Sequence, residues 1–554
     1  MSGLGDKLRE SWSSLANVFR NPGLRRIQLA WTGSIVGDWA YNMAVAVYAY
    51  HQGGATAVGI LAVARYIAMA IIGPFASTLA DRMPRKRVMI GSDLTRGALV
   101  VIAAAVIQSD GPALAVYVLA IVTSVASTPF RPAQASLLPQ LARDPGELTA
   151  ANVASSTIES IGFFAGPAIG GLLLTFTTIP TVYVFNALTF LWSAAVVVGV
   201  RSIAPADESD TDGEGEGTEK PGFLAEGTVG YRTILRDRNL RLLTGLFCAQ
   251  TIVAGASAVF IVAIALDLLD LGNGGPGYVD SIMGIGALVG GLVALVLAQR
   301  GRLAFDFGIG VLFWAAPLLL IVASPTIVAT AACMLLIGLA NSLVDINAYT
   351  IYQRIVPDEL MGRVFGAMES ALIGSMAIGA LAMPFLIKTI GLRAGLAVVG
   401  GVVSVVAILG LRGLRRIDLV ALAPPGLELL RKIDILARLP EPIIERLARA
   451  LVPETASAGD VVIRQGDAGD RVYFIESGSV EVTRDGRHIA HLGPGEVFGE
   501  IALLRAVPRT ATVTATSDSA FQTLTREVFI PAVTREREAH ESAETTVARR
   551  LAML

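Results

Sequence analysis

The sequence predicts an α-helical polytopic membrane protein of twelve spanning helices, six plus six, followed by a C-terminal α+β domain built on a small β-jelly roll. Three observations carry this. The 554 residues are 53% hydrophobic and only 16% charged, with a mean hydropathy of +0.61, more apolar surface than a water-soluble core can absorb. Twelve stretches of about 20 apolar residues are each long enough to cross a hydrocarbon core of about 30 Å at about 1.5 Å per residue. From about Leu427 the chain turns charged, with short β-rich runs between glycines. A formal net charge of −2 supplies no global basic field, so nothing favours nucleic acid as a partner.

Residues 1–26, "MSGLGDKLRESWSSLANVFRNPGLRR", are polar and amphipathic rather than an apolar signal sequence, and nothing in them reads as cleaved. Two bundles follow, at 27–200 and 239–412. Their spans begin near Ile27, Ala57, Val88, Pro112, Thr149 and Pro180, then near Leu240, Gly277, Ala304, Thr326, Gly362 and Arg393. Residues 201–238 separate them and include "DESDTDGEGEGTEKPG", which is acidic and too poor in apolar residues to fold alone, a flexible linker. "AGPAIGGLL" (165–173) and "GSMAIGALA" (374–382) are alike, an internal repeat that suggests two bundles rocking about a shared cavity. Basic loops such as "DRMPRKR", "AQRGR" and "LRGLRR" alternate with uncharged or acidic turns such as "HQGGAT", "TTIP" and "LDLLDLGNGG". By the positive-inside rule both termini are cytoplasmic, in a plasma or inner membrane; the turn with Lys388 and Arg393 runs against the pattern. A connection at 413–426 leads to the C-terminal domain, 427–554, where helical stretches flank short strands at the spacing of a barrel or jelly roll. Cys248 and Cys333 lie in apolar segments as packing residues, with neither a disulfide framework nor metal-ligand spacing.

"STLADRMPRK" (77–86), between the second and third spans, resembles the signature GxxxDRxGRK of the major facilitator superfamily. It keeps Asp81, Arg82, Arg85 and Lys86, with Ser77 and Pro84 in place of the glycines. The resemblance implies that Asp81 sits near the start of the eleventh span, around Gly362, and closes the cytoplasmic side, where a helix dipole favours a carboxylate. "GFFAGPAIGG" (162–171) resembles that family's antiporter motif, GxxxGPxxGG. Gly162, Gly166 and Gly170 leave a flat face for close packing, Gly171 extends the run, and Pro167 permits a kink. In the family this motif goes with export by exchange. "NPGLRRIQLAWTGSIVGDWAYNMAVAVYAY", "SDLTRG" and "QRIVPDELMGRVFGAM" resemble the drug and siderophore exporter branch, so the likeness covers roughly Asn21 to Arg412.

Ionisable residues within hydrocarbon cost a few kcal/mol each, and so need a partner or a role. Asp38, near the middle of the first span, is the leading candidate for a proton or substrate carboxylate, since the first span lines the cavity in this superfamily. Glu159, Glu369, Asp345 and Arg131 complete the candidates. Asp93 and Arg96 are three apart on one helix face and are expected to pair locally, while Arg65 is open to either reading.

The stretch "FGEIALLRAVPRTATV" (498–513) places an acid, a short helical turn and an arginine within one run. It resembles the phosphate-binding cassette of cyclic nucleotide-binding domains, FGE(L/I)ALL followed by PR(T/A)A(T/S)V, and the glycines at 459, 466, 469, 478 and 493 fall where that family turns. The resemblance implies a cyclic nucleotide, cAMP or cGMP, as a regulatory ligand. Phe498, Gly499, Glu500, Ile501, Ala502, Arg509, Thr510 and Ala511 would form its site, with Glu500 accepting from the ribose hydroxyl and Arg509 pairing with the phosphate. Ile501 and its neighbours can present N–H groups to the anion. The segment 543–554 can close over the base as a lid.

The expected protein is therefore a secondary transporter, exporting an amphipathic small molecule by proton exchange and regulated by cyclic nucleotide. A lysophospholipid transporter with the same regulation and a non-transporting, membrane-anchored nucleotide sensor are the alternatives. An enzyme is not expected: no nucleophile with a placed base, no metal cluster and no Walker-type loop is present in the sequence. Lipid bilayer, small-molecule substrate and cyclic nucleotide are the expected partners.

Overall fold

The computed structural model describes residues 18–200, 223–298, 302–420 and 426–535, apart from 434–435 and 437–438. It divides into two units, residues 1–421 and 422–554, and each is described by itself. Among the described residues of the first unit, 11 helices are long and apolar enough to cross a membrane. The first, α1 (Pro22–Arg82), begins under the side chain of Asn21, which accepts from the N–H groups of Gly23 and Leu24. It breaks at Gly53 and Gly54, where Gly54 takes a φ of 60°. Arg65 Nη2 donates to Asn42 Oδ1 at 2.7 Å although the two are 23 residues apart; a straight helix would hold them about 35 Å from each other. The chain therefore doubles back at the glycine pair, and α1 has the length and the fold-back of two of the predicted crossings.

The first half continues with α2 (Arg85–Gln108), α3 (Ala113–Ser127) and α4 (Phe130–Leu141) as one crossing, α5 (Pro145–Phe176) and α6 (Ile179–Val198). Residues 201–222 of the expected linker lie outside the described residues, and its last part is helical rather than a flexible connection. After α7 (Phe223–Arg236), the second half comprises α8 (Arg238–Ala263) with a π-turn at Ile264–Leu268, α9 (Gly275–Ala298), α10 (Leu303–Ala315) joined to α11 (Leu318–Ala323), α12 (Ile327–Ile355), α13 (Met361–Ile390) and α14 (Leu392–Val420). Several helices start a few residues before the apolar count places them, because the first turn is polar and capped: Asn21, Asp144 and Asp237 each accept N–H groups from it.

The antiporter-like stretch of α5 packs as its small residues dictate. A Cβ at Gly166 would lie 2.4 Å from that of Trp39, and one at Gly170 would lie 2.9 Å from the Cα of Ala40, so α5 and the first arm of α1 touch through backbone. Gly171 faces the other half instead, where a Cβ would lie 2.7 Å from the Gly274 carbonyl. At this end of the bundle, away from Pro22 and Val420, the Tyr50 hydroxyl donates to Asp267, and the hydroxyls of Thr175 and Tyr278 are 2.8 Å apart. The two halves are joined there.

In the second unit, α15 (Leu427–Lys432) and α16 (Glu441–Arg449) precede two antiparallel four-stranded sheets, ordered β1-β8-β3-β6 and β2-β7-β4-β5. The strands are β1 (Val452–Ala456), β2 (Val461–Ile463), β3 (Arg471–Ser477), β4 (Val480–Arg484), β5 (Arg487–Leu492), β6 (Val497–Phe498), β7 (Thr512–Ala515) and β8 (Ser519–Thr525). Helix α17 (Glu500–Arg505) follows β6, and α18 (Arg526–Arg535) follows β8. Strand β3 shows the period of two that builds the jelly roll. Val472 and Phe474 pack with Leu430, Leu447 and Phe529 from the helices, whereas Tyr473 and Ile475 pack with Phe498, Val513 and Phe521 in the roll's interior. The segment expected as a lid lies outside the described residues.

Candidate functional site

The stretch that links β6 to α17 is shaped around one side chain. Phe498 stacks on Tyr473, with ring centroids 4.9 Å apart, and meets Phe521 edge-on, which fixes the end of β6. Gly499 then takes a φ of 85°, and a Cβ there would lie 2.6 Å from Arg509 Nη1, so glycine is needed both for the turn and for the approach of the guanidinium. The main chain of Arg509 is held in turn by the loop before β3: its N–H donates to the Asp467 carbonyl and its own carbonyl accepts from Gly466, both at 2.8 Å. Its Nη1 donates to the Gly499 carbonyl at 3.0 Å and its Nη2 to the Arg471 carbonyl at 2.8 Å. Burial pulls the pKa of Arg509 down, opposed by Tyr473, Asp470, Glu500 and Asp467.

Glu500 and Arg509 are only 1% and 6% exposed, yet both border a cavity of about 370 Å³, within the size range of small-molecule sites, about 300–1,000 Å³. All of Phe498, Gly499, Glu500, Ile501, Ala502, Arg509, Thr510 and Ala511 line it, with Ile463, Val482 and Val513 as an apolar wall. A buried cation and a buried carboxylate at different points of one cavity suit a ligand with an anionic group and a hydroxyl, set on an otherwise apolar body. Sequence reasoning missed the carbonyls of Arg471 and Asp467 that orient the arginine, because backbone groups in distant loops leave no side-chain signature.

In the membrane unit most of the predicted ionisable residues have partners. Asp38 accepts from Arg96 Nη1 at 2.9 Å, and Arg96, 2% exposed, also donates to Asp93 at 2.5 Å and to Ser34 at 3.2 Å. The expected local pair of Asp93 and Arg96 is present, and Asp38 joins it as a third member. Arg131 and Glu159 pair at 2.7 Å with both side chains about half exposed, while Arg131 also covers the Trp31 ring. Asp345 accepts from Asn341 at 3.1 Å, and Glu369 from the Tyr349 hydroxyl at 2.5 Å. Arg85 donates to the Ser136 carbonyl at 3.0 Å, and Lys86 to those of Val198 and Val200 at 2.7 and 2.8 Å, the latter a cation on the C-terminus of α6. The side chains of Asp81 and Arg82 lie outside the described residues.

A cavity of about 490 Å³ lies between the halves, lined by Trp39, Asn42, Arg65 and Phe163 on one side and by Asp280, Trp314, Asn341 and Met376 on the other. Arg65 is held by two neutral groups, Ser124 Oγ and Asn42 Oδ1, each at 2.7 Å. Asp280 is 4% exposed, and its Oδ2 has no hydrogen-bond partner among the described residues. Asp280 lies three residues into the span expected from near Gly277 and is not among the ionisable residues singled out in the sequence; in the structure α9 begins at Gly275 and carries it into the bundle.

Residues 30–372 match the Major Facilitator Superfamily, and residues 453–536 match the Cyclic nucleotide-binding domain. The chain is 29% identical over 414 residues to an uncharacterized MFS-type transporter of Bacillus subtilis, covering 72% of this chain and 94% of that protein. In the C-terminal domain it is 41% identical over 102 residues to a cAMP-dependent protein kinase regulatory subunit of Yarrowia lipolytica, covering 18% of this chain and 27% of that one. It is also 39% identical over 88 residues to a cyclic nucleotide-gated potassium channel of Mesorhizobium japonicum, covering 16% of this chain and 24% of that one. The chain thus spans about a quarter of the length of each of these last two proteins.

Proposed function

We propose, from the premise that this chain belongs to the Major Facilitator Superfamily and carries a cyclic nucleotide-binding domain, that it exports an amphipathic small molecule in exchange for protons, at a rate set by nucleotide occupancy. The observation that carries the coupling is Asp280, a carboxylate lining the cavity between the halves whose Oδ2 has no hydrogen-bond partner among the described residues. An ionised carboxylate buried without a partner costs several kcal/mol, and a proton or the cationic part of a substrate relieves that cost. Occupancy by one or the other, in turn, is what exchange requires. Tryptophan and methionine on the cavity wall suit an apolar body of variable shape. Asp38, the carboxylate favoured by its place in the first span, is bound by Arg96 and is assigned to holding the first half together. The antiporter-like packing of Gly162, Gly166, Pro167, Gly170 and Gly171 supports exchange, and loop charge supports cytoplasmic termini in a plasma or inner membrane.

For the regulatory ligand, likeness to cAMP-dependent kinase regulatory subunits favours cAMP, with cGMP as the alternative that Thr510 admits. Nucleotide shifts transport only by its differential affinity for two conformations. A lysophospholipid-like substrate is the second reading, and Arg65 favours it: a zwitterionic head group would meet both Arg65 and Asp280.

The test uses full-length protein in proteoliposomes with an imposed pH gradient and a panel of amphipathic dyes and fluorescent lysophospholipids. Wild type is expected to move at least one probe with counterflow of protons, and saturating cAMP to change the rate. Asp280→Asn is expected to abolish proton-linked movement while leaving the cAMP thermal shift intact. Transport by Asp280→Asn at the wild-type rate refutes the coupling, and a rate indifferent to cAMP refutes the regulation.

A further inference from the structure

We infer that Glu481, His488 and His491 on the β4–β5 hairpin form a binding site for a divalent transition-metal ion of the zinc class, at the rim of the nucleotide cavity. In "RHIAHL" the two histidines are three apart, and on a regular strand such residues face opposite sides of the sheet. The hairpin is not regular. Val482 pairs with Ala490 but the next residue, Thr483, pairs with His488, which leaves Ile489 as an extra residue, a β-bulge. The bulge resets the alternation and brings His488 round to His491, with ring centroids 4.8 Å apart. Glu481 lies directly across from His491 in the register, and its Oε1 is 2.9 Å from His488 Nδ1. One ligand atom from each of the three falls within 4.8 Å of the others, and two of the chain's 4 histidines are gathered here.

The donor set decides the class of ion. Two imidazoles and a carboxylate suit zinc, with nickel and copper as competitors, and are a poor match for calcium or magnesium, which take oxygen ligands. Zinc bonds of about 2.0–2.2 Å place tetrahedral ligands about 3.3 Å apart. The widest spacing therefore has to close by up to about 1.5 Å, which partly exposed side chains can do by rotation: His488 and Glu481 are 50% and 37% exposed. Three protein ligands leave a fourth position for water.

His491 also lines the nucleotide cavity, so metal and nucleotide share a residue. Any effect of the ion on nucleotide affinity must be matched by an equal effect of nucleotide on the ion. The metal site stands apart from the transport reading, and its linkage to nucleotide rests on the cavity of the C-terminal domain.

The experiment titrates Zn²⁺ against a chelating indicator, using full-length protein in detergent purified without an oligohistidine tag. Wild type is expected to bind one Zn²⁺ per chain, and His488→Gln and Glu481→Gln to bind it at least about 10-fold more weakly, since loss even of a group that only orients a ligand costs about 10–100-fold. His488→Gln is expected to keep the cAMP thermal shift measured without zinc, which shows the domain folded. Added zinc should change cAMP affinity in wild type and leave it unchanged in His488→Gln. Absence of stoichiometric zinc, or variants within about threefold of wild type, overturns the site. Stoichiometric zinc with unchanged cAMP affinity overturns the linkage.

Discussion

Arg509→Ala removes the one guanidinium that, among the described residues, reaches the nucleotide cavity, and its effect can be worked out bond by bond. Arginine carries five N–H donors. Two are already used, one each from Nη1 and Nη2, on the carbonyls of Gly499 and Arg471. Three remain, enough for both exocyclic oxygens of a cyclic phosphate. Charge-assisted bonds contribute about 1.5–3 kcal/mol each, and water admitted to the emptied site recovers part of that, so a loss of about 3 kcal/mol, or about 150-fold in Kd, is expected. Arg509→Lys keeps the charge without the fork and is expected to lose about 10-fold. Both variants also leave the Gly499 and Arg471 carbonyls short of a donor, at about 1–3 kcal/mol for a buried group, so the ligand-free melting temperature should fall as well. Calorimetric titration of cAMP into full-length protein reads the first effect, and thermal melting without nucleotide reads the second. If Arg509→Ala binds cAMP within about threefold of wild type, the phosphate does not sit at Arg509 and the assignment of the cavity is wrong.

Gly171→Val places a branched side chain where a single Cβ would already lie 2.7 Å from the Gly274 carbonyl and 3.2 Å from the Cα of Gly277. The halves cannot then meet at that end, so transport should stop while the cAMP thermal shift survives, as proteoliposome flux and melting curves will show. Asp418 caps α10 from α14, its two carboxylate oxygens accepting from the N–H groups of Ala304 and Phe305 at 2.7 and 3.0 Å. Asp418→Ala should cost about 1–2 kcal/mol, visible as a lower melting temperature and faster amide exchange at the start of α10; unchanged exchange there would refute the capping role.

How far the chain could be read in advance depended on whether a feature was local. The crossings were visible because a hydrocarbon core sets their length, and the nucleotide cavity because its polar residues fall within one short run, from Phe498 to Ala511. Contacts made by tertiary folding were not visible. Asp38 and Arg96 are 58 residues apart, and no spacing rule links them, so Asp38 looked like a lone carboxylate. Asp280 fell inside an expected crossing, near its start, but nothing local shows that it meets the cavity between the halves, which residues from several distant helices build. His488 and His491 were hidden by parity, since one bulged residue turns a pair on opposite faces into neighbours. Gly53 and Gly54 show the same limit from the other side: they separate two predicted crossings that helical hydrogen bonding alone would run together.

The buried charges of the membrane unit fall into two kinds, and the difference bears on which of them can take part in transport. Arg96 answers Asp38, Asp93 and Ser34 at once and packs 4.1 Å from the centre of the Phe190 ring. Removing a proton, a charge or a partner from such a network exposes the others, at about 3–5 kcal/mol for a broken buried pair, so it resists change and serves to fix the first half. Arg65 and Asp280 are arranged differently. They line the cavity between the halves, Arg65 on neutral partners and Asp280 with one oxygen that has no hydrogen-bond partner among the described residues. Any molecule that enters changes their electrostatic balance, and that change is available to bias the two halves between arrangements. The proposed proton-driven cycle would need a group whose protonation is cheap to alter when substrate leaves, and among the described carboxylates of the bundle Asp280 is the one that lines the cavity between the halves.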